Sequence, residues 1–134
     1  MSTNDKVAAF LEAGPYAVVG ASTNRDKYGN KVLRVYQQSG RRPVYPINPR
    51  AEEIEGEPAF PSLDATPEVP RSVSIITPPQ ITEAVVEEAI ELGIEHLWMQ
   101  PGAESAAAVR RAEEAGLGVI ADGSCILVVL GYRE

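Results

Sequence analysis

The segment Gly20-Ala21-Ser22-Thr23-Asn24 brings together small residues, two hydroxyls and an amide, with Arg25 and Lys27 close behind. A glycine lets the backbone turn sharply. Hydroxyls, an amide and free N–H groups, followed by a helix beginning near Gly29, would form a site for a phosphate. The dinucleotide fingerprint G-x-G-x-x-G is absent, because only Gly20 and Gly29 are present here. A glycine that merely permits a strand-to-helix turn is the competing reading of Gly20. A second informative stretch is Ile47-Asn48-Pro49-Arg50. An NAD-binding Rossmann unit carries an acid at this place to bond the ribose hydroxyls. Here the acid is missing and Arg50 is present, which disfavours NAD and favours a ligand with a phosphate on its ribose. Coenzyme A and NADP both qualify, and a solvated loop charge is the plainer alternative.

Two proline-bearing stretches complete the set. Thr77-Pro78-Pro79 offers stiff apolar ring surface and carbonyls, suited to an adenine or a pantetheine arm. Simple helix initiation by proline explains the same residues. Gln100-Pro101-Gly102 is the matching loop further along. Asp122-Gly123-Ser124-Cys125 comes after the last strand, and Cys125 reads most simply as a small packing residue. Trp98 lies inside a strand and reads as core. The lone His96 opens that strand, so it belongs at the end away from these loops. One His and one Cys cannot build a metal site, so none is expected. No catalytic residue is expected either, since no Ser-His-Asp arrangement or nucleophile with a matching base is found.

These loops need a scaffold that gathers them, and the chain alternates strand-like and helix-like segments. A helix is expected over Asn4 to Ala13, a strand over Tyr16 to Val19 and a helix over Gly29 to Ser39. A second strand spans Pro43 to Ile47. Residues 50–71 are the least regular, with a short helix expected near Leu63 to Thr66. A third strand spans Ser72 to Thr77, and an amphipathic helix Ile81 to Leu92 ends at Gly93. A fourth strand runs Glu95 to Gln100. An Ala-rich helix covers Ala103 to Ala115, and a fifth strand Leu117 to Ala121. The tail from Cys125 is compatible with a strand or a helical turn. This alternation implies an α/β Rossmann-like, doubly wound, five-stranded parallel sheet with helices on both faces and strand order 3-2-1-4-5. Ligands of such sheets lie at the carboxyl ends of the strands, where all five loops fall.

Composition sets bounds. The 134 residues fit one domain, 1–134, with the first helix included. A formal net charge of −7 argues against a nucleic-acid partner. A single cysteine excludes an internal disulfide and suits a reducing cytoplasm. No signal pattern opens the chain, and no apolar run nears the roughly 20 residues that span a bilayer. A small-molecule partner is expected, with room for a protein partner or a homodimer.

The chain resembles the stand-alone CoA-binding-domain proteins of the YccU-like family. It is also similar to the N-terminal CoA-binding domain of the succinyl-CoA synthetase α subunit. The resemblance rests on VVGAS at 18–22, PVYPINP at 43–49, SVSIITPP at 72–79, AVVEEAIELGIEHLWMQPG at 84–102 and EEAGLGVIADGSC at 113–125. It implies a Rossmann-type domain holding coenzyme A or an acyl-CoA across its strand ends. By matching position, Ser22, Thr23 and Asn24 would meet the phosphates. Asn48, Pro49 and Arg50 would flank the nucleotide, and Gln100, Pro101 and Gly102 would lie along the pantetheine path. Two departures stand out. The third strand ends in Thr77-Pro78-Pro79, as in the synthetase pattern, where stand-alone members have a Phe-Arg type of ending. The family's Asp-Arg-Cys is Asp122-Gly123-Ser124-Cys125 here. The synthetases also use a phosphorylated His on a second domain and an ATP-binding partner, neither of which lies in these 134 residues. The expected role is therefore a non-catalytic binding module, carrier or sensor. An NADP- or nucleotide-binding oxidoreductase or transferase subunit is the alternative.

Overall fold

The structure is a computed structural model that describes residues 2–134. The elements in chain order are α1 (Thr3–Leu11), β1 (Tyr16–Val19), α2 (Tyr28–Gln38), β2 (Val44–Ile47), β3 (Glu53–Ile54) and β4 (Glu57–Pro58). Next come a 3-10 turn (Leu63–Ala65), β5 (Ser72–Ile75), α3 (Pro79–Leu92) and β6 (His96–Met99), then α4 (Ala106–Glu114), β7 (Gly118–Ile120) and α5 (Ile126–Val129).

Local chemistry sets these boundaries. Ser2 and Asp5 form a reciprocal capping box that starts α1. Pro79 takes the first turn of α3, where its missing N–H costs nothing, and Gly93 ends that helix in the left-handed region. The tail after Cys125 is helical, as α5. The irregular 50–71 stretch contains the expected short turn at Leu63 and also a small antiparallel hairpin, β3–β4. Glu55 makes its bend at a φ of 51°.

β1, β2, β5, β6 and β7 form one parallel sheet in the order β2-β1-β5-β6-β7. Counted along the five sheet strands this is 2-1-3-4-5, which corrects the expected 3-2-1-4-5. The fold class stands; the third strand joins the other side of β1. The reason lies at the outer edge of β2. Phe60 forms a parallel bridge there, donating its N–H to Pro46 O at 3.0 Å and accepting from Asn48 N at 2.9 Å. In a parallel strand the N–H and C=O of one residue face the same neighbour. Pro46 therefore faces outward and has no N–H to offer a further strand. The chain returns and pairs β5 with β1 from Tyr16↔Ser72 to Val19↔Ile75.

β1 and β5 are buried along their whole length, as central parallel strands with both faces covered must be. One layer packs Val73, Ile75, Leu97 and Met99 against Val86 and Ala89 of α3 and Ala108 and Ala112 of α4. The other packs Val18, Trp98 and Ile120 against Phe10, Leu33, Tyr36 and Ile126. Trp98 is core, as expected, edge-on to Phe10 at 5.3 Å and donating its indole N–H to Ser124 O at 3.0 Å. Each large apolar side chain so buried contributes about 1.5–3 kcal/mol. No helix among the described residues is long and apolar enough to cross a membrane.

Candidate functional site

Because the sheet is parallel, all five strands end at one edge, and the loops with candidate residues gather there. The order reverses between β1 and β5. The loop after β1 leads to α2 on one face, and the loop after β5 leads to α3 on the other. A crevice opens at such a point. A cleft of about 310 Å³ lies there, with Gly20, Ala21, Asn48, Pro49 and Thr77 in its walls and Ile81 of α3 along one side.

Glycine is required once in the loop after β1 and once in the first turn of α2. Gly20 has a φ of +97°, and a Cβ on it would stand 2.1 Å from Ile76 O. A Cβ on Gly29 would stand 2.0 Å from Gly20 O. The loop backbone thus lies directly against the start of α2. Ser22 and Asn24 shape the turn into α2: Ser22 Oγ accepts from Asn24 N at 3.1 Å, and Asn24 Oδ1 accepts from Asp26 N at 2.9 Å. Lys27 is the N-cap of α2 and supplies no side-chain hydrogen bond to it. The N–H groups of Tyr28 and Gly29 have no partner among the described residues. The positive end of α2 is open beside Ser22 and Thr23.

The other candidates divide by what already holds them. Lys27 and Arg50 are exposed and in no ion pair among the described residues. Arg25 is paired with Glu55. Asn48 donates to Ala21 O at 3.0 Å and accepts from Arg50 N and Ala51 N, so its amide braces two loops. Thr77 hydrogen-bonds Thr82 through their hydroxyls at 2.7 Å, and Pro78 and Pro79 are exposed at the start of α3. Gln100 is fully buried. Its Oε1 accepts from Ile126 N at 2.9 Å and Tyr28 OH at 3.1 Å, while its Nε2 has no partner among the described residues. Pro101 and Gly102 of the same loop are exposed at the strand-end edge.

Three residues that sequence reasoning missed lie behind the loop. Asn30 is fully buried, Arg34 nearly so, and Glu55 comes from the hairpin. Asn30 holds the Glu55 carboxyl below the usual carboxylate range by donating to it, and Arg25 and Arg34 add to this against the cost of burial. Asn30 and Arg34, four apart, share the polar side of α2 with Gln37, opposite Val32, Val35 and Tyr36, and so read as a solvated helix face; the hairpin that covers this face is what buries them.

Other depressions lie elsewhere among the described residues. One of about 380 Å³ opens between Tyr28, Pro101, Cys125 and Leu127. Cys125 is half-buried on its rim, with Sγ 2.8 Å from Tyr28 OH, rather than packed in the core. A wider one, about 620 Å³, lies at the opposite sheet edge beside Lys6 and His96. His96 is thus far from the strand-end loops, as expected, and that broad depression contains none of the candidate residues.

The chain is 37% identical over 73 residues to an ADP-forming acetate–CoA ligase I of Archaeoglobus fulgidus, covering 54% of this chain and 10% of that one. It is 30% identical over 85 residues to the α subunit of an ADP-forming acetate–CoA ligase II of Pyrococcus furiosus, covering 63% of this chain and 19% of the relative. The chain therefore spans a tenth to a fifth of the length of these curated relatives. Among solved structures, a conserved hypothetical protein from Pyrococcus furiosus superposes with a TM-score of 0.79 at 39% identity, covering 85% of this chain and 97% of the other. Residues 15–131 match the model of the CoA binding domain, and the chain belongs to that family.

Proposed function

We propose that the protein binds coenzyme A or an acyl-CoA along the carboxyl edge of the sheet. The phosphates lie on Ser22, Thr23 and the start of α2, with Lys27 beside them. The 3′-phosphate of the ribose meets Arg50. The pantetheine arm runs past Thr77, Pro78 and Pro79 toward the Gln100-Pro101-Gly102 loop. The observation that carries this reading is the uncapped α2. The N–H groups of Tyr28 and Gly29 are unpartnered and the N-cap Lys27 is in no ion pair among the described residues. A helix that ends in water next to two hydroxyls and a free cation favours an anion there.

We assign the protein the part of a binding module, a carrier, sensor or partner subunit, rather than a self-contained enzyme. Membership of the CoA binding domain family supports this assignment. Calorimetry with CoA, acetyl-CoA, NADP, NAD and ATP tests it. CoA or acetyl-CoA should bind tightest. NADP binding more tightly than CoA would replace this reading with an oxidoreductase one.

A further inference from the structure

The carbonyls of the loop after β1 are held from behind. Gly20 O lies against the backbone of Gly29. Asn48 Nδ2 donates to Ala21 O at 3.0 Å, and Asn30 Nδ2 donates to Ser22 O at 2.8 Å. The peptide bonds here are trans. In a planar trans peptide the C=O of one residue and the N–H of the next point in opposite directions. Fixing the Ala21 carbonyl on Asn48 turns the Ser22 N–H away from Asn48. Fixing the Ser22 carbonyl on Asn30 turns the Thr23 N–H away from Asn30. Neither N–H has a partner among the described residues.

Asn30 is itself fixed on every side. Both Nδ2 hydrogens are used, on Ser22 O and on Glu55 Oε2 at 3.1 Å, and Oδ1 accepts from Arg34 Nε at 2.7 Å. This pattern of donors and acceptors allows only one orientation of the amide. Arg34 also donates to Arg25 O at 2.7 Å, so one buried pair on α2 grips the loop at two carbonyls. Burying an amide and a guanidinium is unfavourable unless their donors are met. Here the donors that are met are those that set the direction of the loop's N–H groups.

We infer that Asn30 and Asn48 are positioning residues for phosphate recognition: they hold the Ala21 and Ser22 carbonyls so that the Ser22 and Thr23 N–H groups donate to a phosphate oxygen. Arg34 keeps Asn30 in place. This rests on the CoA reading of the site and assigns the loop's anion-binding geometry to two amides, one on α2 and one after β2.

The test uses the full chain, labelled with nitrogen-15, titrated with CoA and with inorganic pyrophosphate. In the unaltered protein the amide protons of Ser22 and Thr23 should move downfield with both ligands. Asn48→Ser should lose the Ser22 shift and Asn30→Ser the Thr23 shift, each binding CoA about tenfold or more weakly, the factor expected for a lost charge-assisted bond. If Asn30→Ser does not fold, Asn48→Ser, outside the helix, carries the test alone. Unchanged affinity and an unchanged Ser22 shift in Asn48→Ser would overturn the inference. So would CoA binding to the unaltered protein without movement of those two amides, leaving the CoA reading intact. Absence of CoA binding to the unaltered protein would overturn the CoA reading itself.

Discussion

The carbonyl oxygen of Gly20 occupies the place where a side chain on Gly29 would begin, 2.0 Å from the position of a Cβ. Two glycines nine residues apart thus act as one feature, a close approach of loop to helix. Gly29→Ala must push the loop off α2 and should cost more than about 2 kcal/mol, together with most CoA affinity. Gly40 is the control. Unlike Gly29 it has a positive φ, and a Cβ there would meet nothing within 4 Å. Gly40→Ala should cost only the backbone preference, about 1–2 kcal/mol, and leave CoA affinity unchanged. Urea unfolding with calorimetry separates the two. Equal losses of affinity in both variants would contradict the close-approach argument.

Arg50 is exposed, in no ion pair among the described residues, and its backbone is fixed by the Asn48 amide at 2.8 Å. Replacing it by Ala should weaken CoA by about tenfold to a hundredfold, the loss of a charge-assisted bond. Dephospho-CoA, which lacks the 3′-phosphate, should be weakened much less. Equal effects on both ligands would make Arg50 a surface charge only.

Much of this fold was legible because hydrophobic runs bounded by Gly and Pro mark the five strands, and parallel pairing is the consequence of the helices between them. The gathering of Ser22, Asn48, Thr77 and Gln100 at one edge came with it. Strand order was misjudged, although Pro46 carried the information: a proline facing the outer edge marks β2 as terminal. The side-chain roles were harder to read. Gln100 and Asn48 looked like ligand groups by position, yet the fold uses their amides on Ile126 and Ala21. Asn30, Arg34 and Glu55 come together only because the β3–β4 hairpin folds back over α2. That contact joins residues whose local sequence gives no hint of it.

His96 stands at the opposite edge, close against Gly118, and burial lowers its pKa below the ordinary 6.5, with Glu95 opposing and Arg71 adding to the effect. As pH falls below about 6.5, the unfolded chain takes up a proton before the folded one does. Stability from this group is therefore fully present above 6.5 and is lost progressively below it, down to the depressed folded value. The urea midpoint should fall between about pH 7.5 and about pH 5.5, and His96→Gln should flatten that change. Depressed carboxylates such as Glu55 and Asp122 act only at lower pH, as acid approaches their ordinary values of 4.5 and 3.8. A midpoint that falls equally in His96→Gln would remove His96 as the cause.

Tyr28 joins two groups that the strand-end loops leave close together. Its hydroxyl lies 3.1 Å from Gln100 Oε1 and 2.8 Å from Cys125 Sγ. Burial raises its pKa, and the hydrogen bond to Cys125 raises it further, so the phenol stays neutral at working pH. Gln100 Oε1 can only accept, so a phenol proton directed to it leaves the phenol oxygen to accept from the thiol. The thiol is then engaged by the phenol oxygen at 2.8 Å and is half-buried, which should make it a slow nucleophile. Incubation with CoA disulfide should leave the protein without a CoA-sized adduct, and Ellman's reagent should label Cys125 slowly. Tyr28→Phe should cost about 0.5–1.5 kcal/mol, one hydrogen bond, and speed the labelling. Gln100 keeps its bond from Ile126 N in that variant, so the core should remain folded. A rapid CoA adduct on the unaltered protein, absent in Cys125→Ser, would show instead that the thiol faces the ligand and reacts with it.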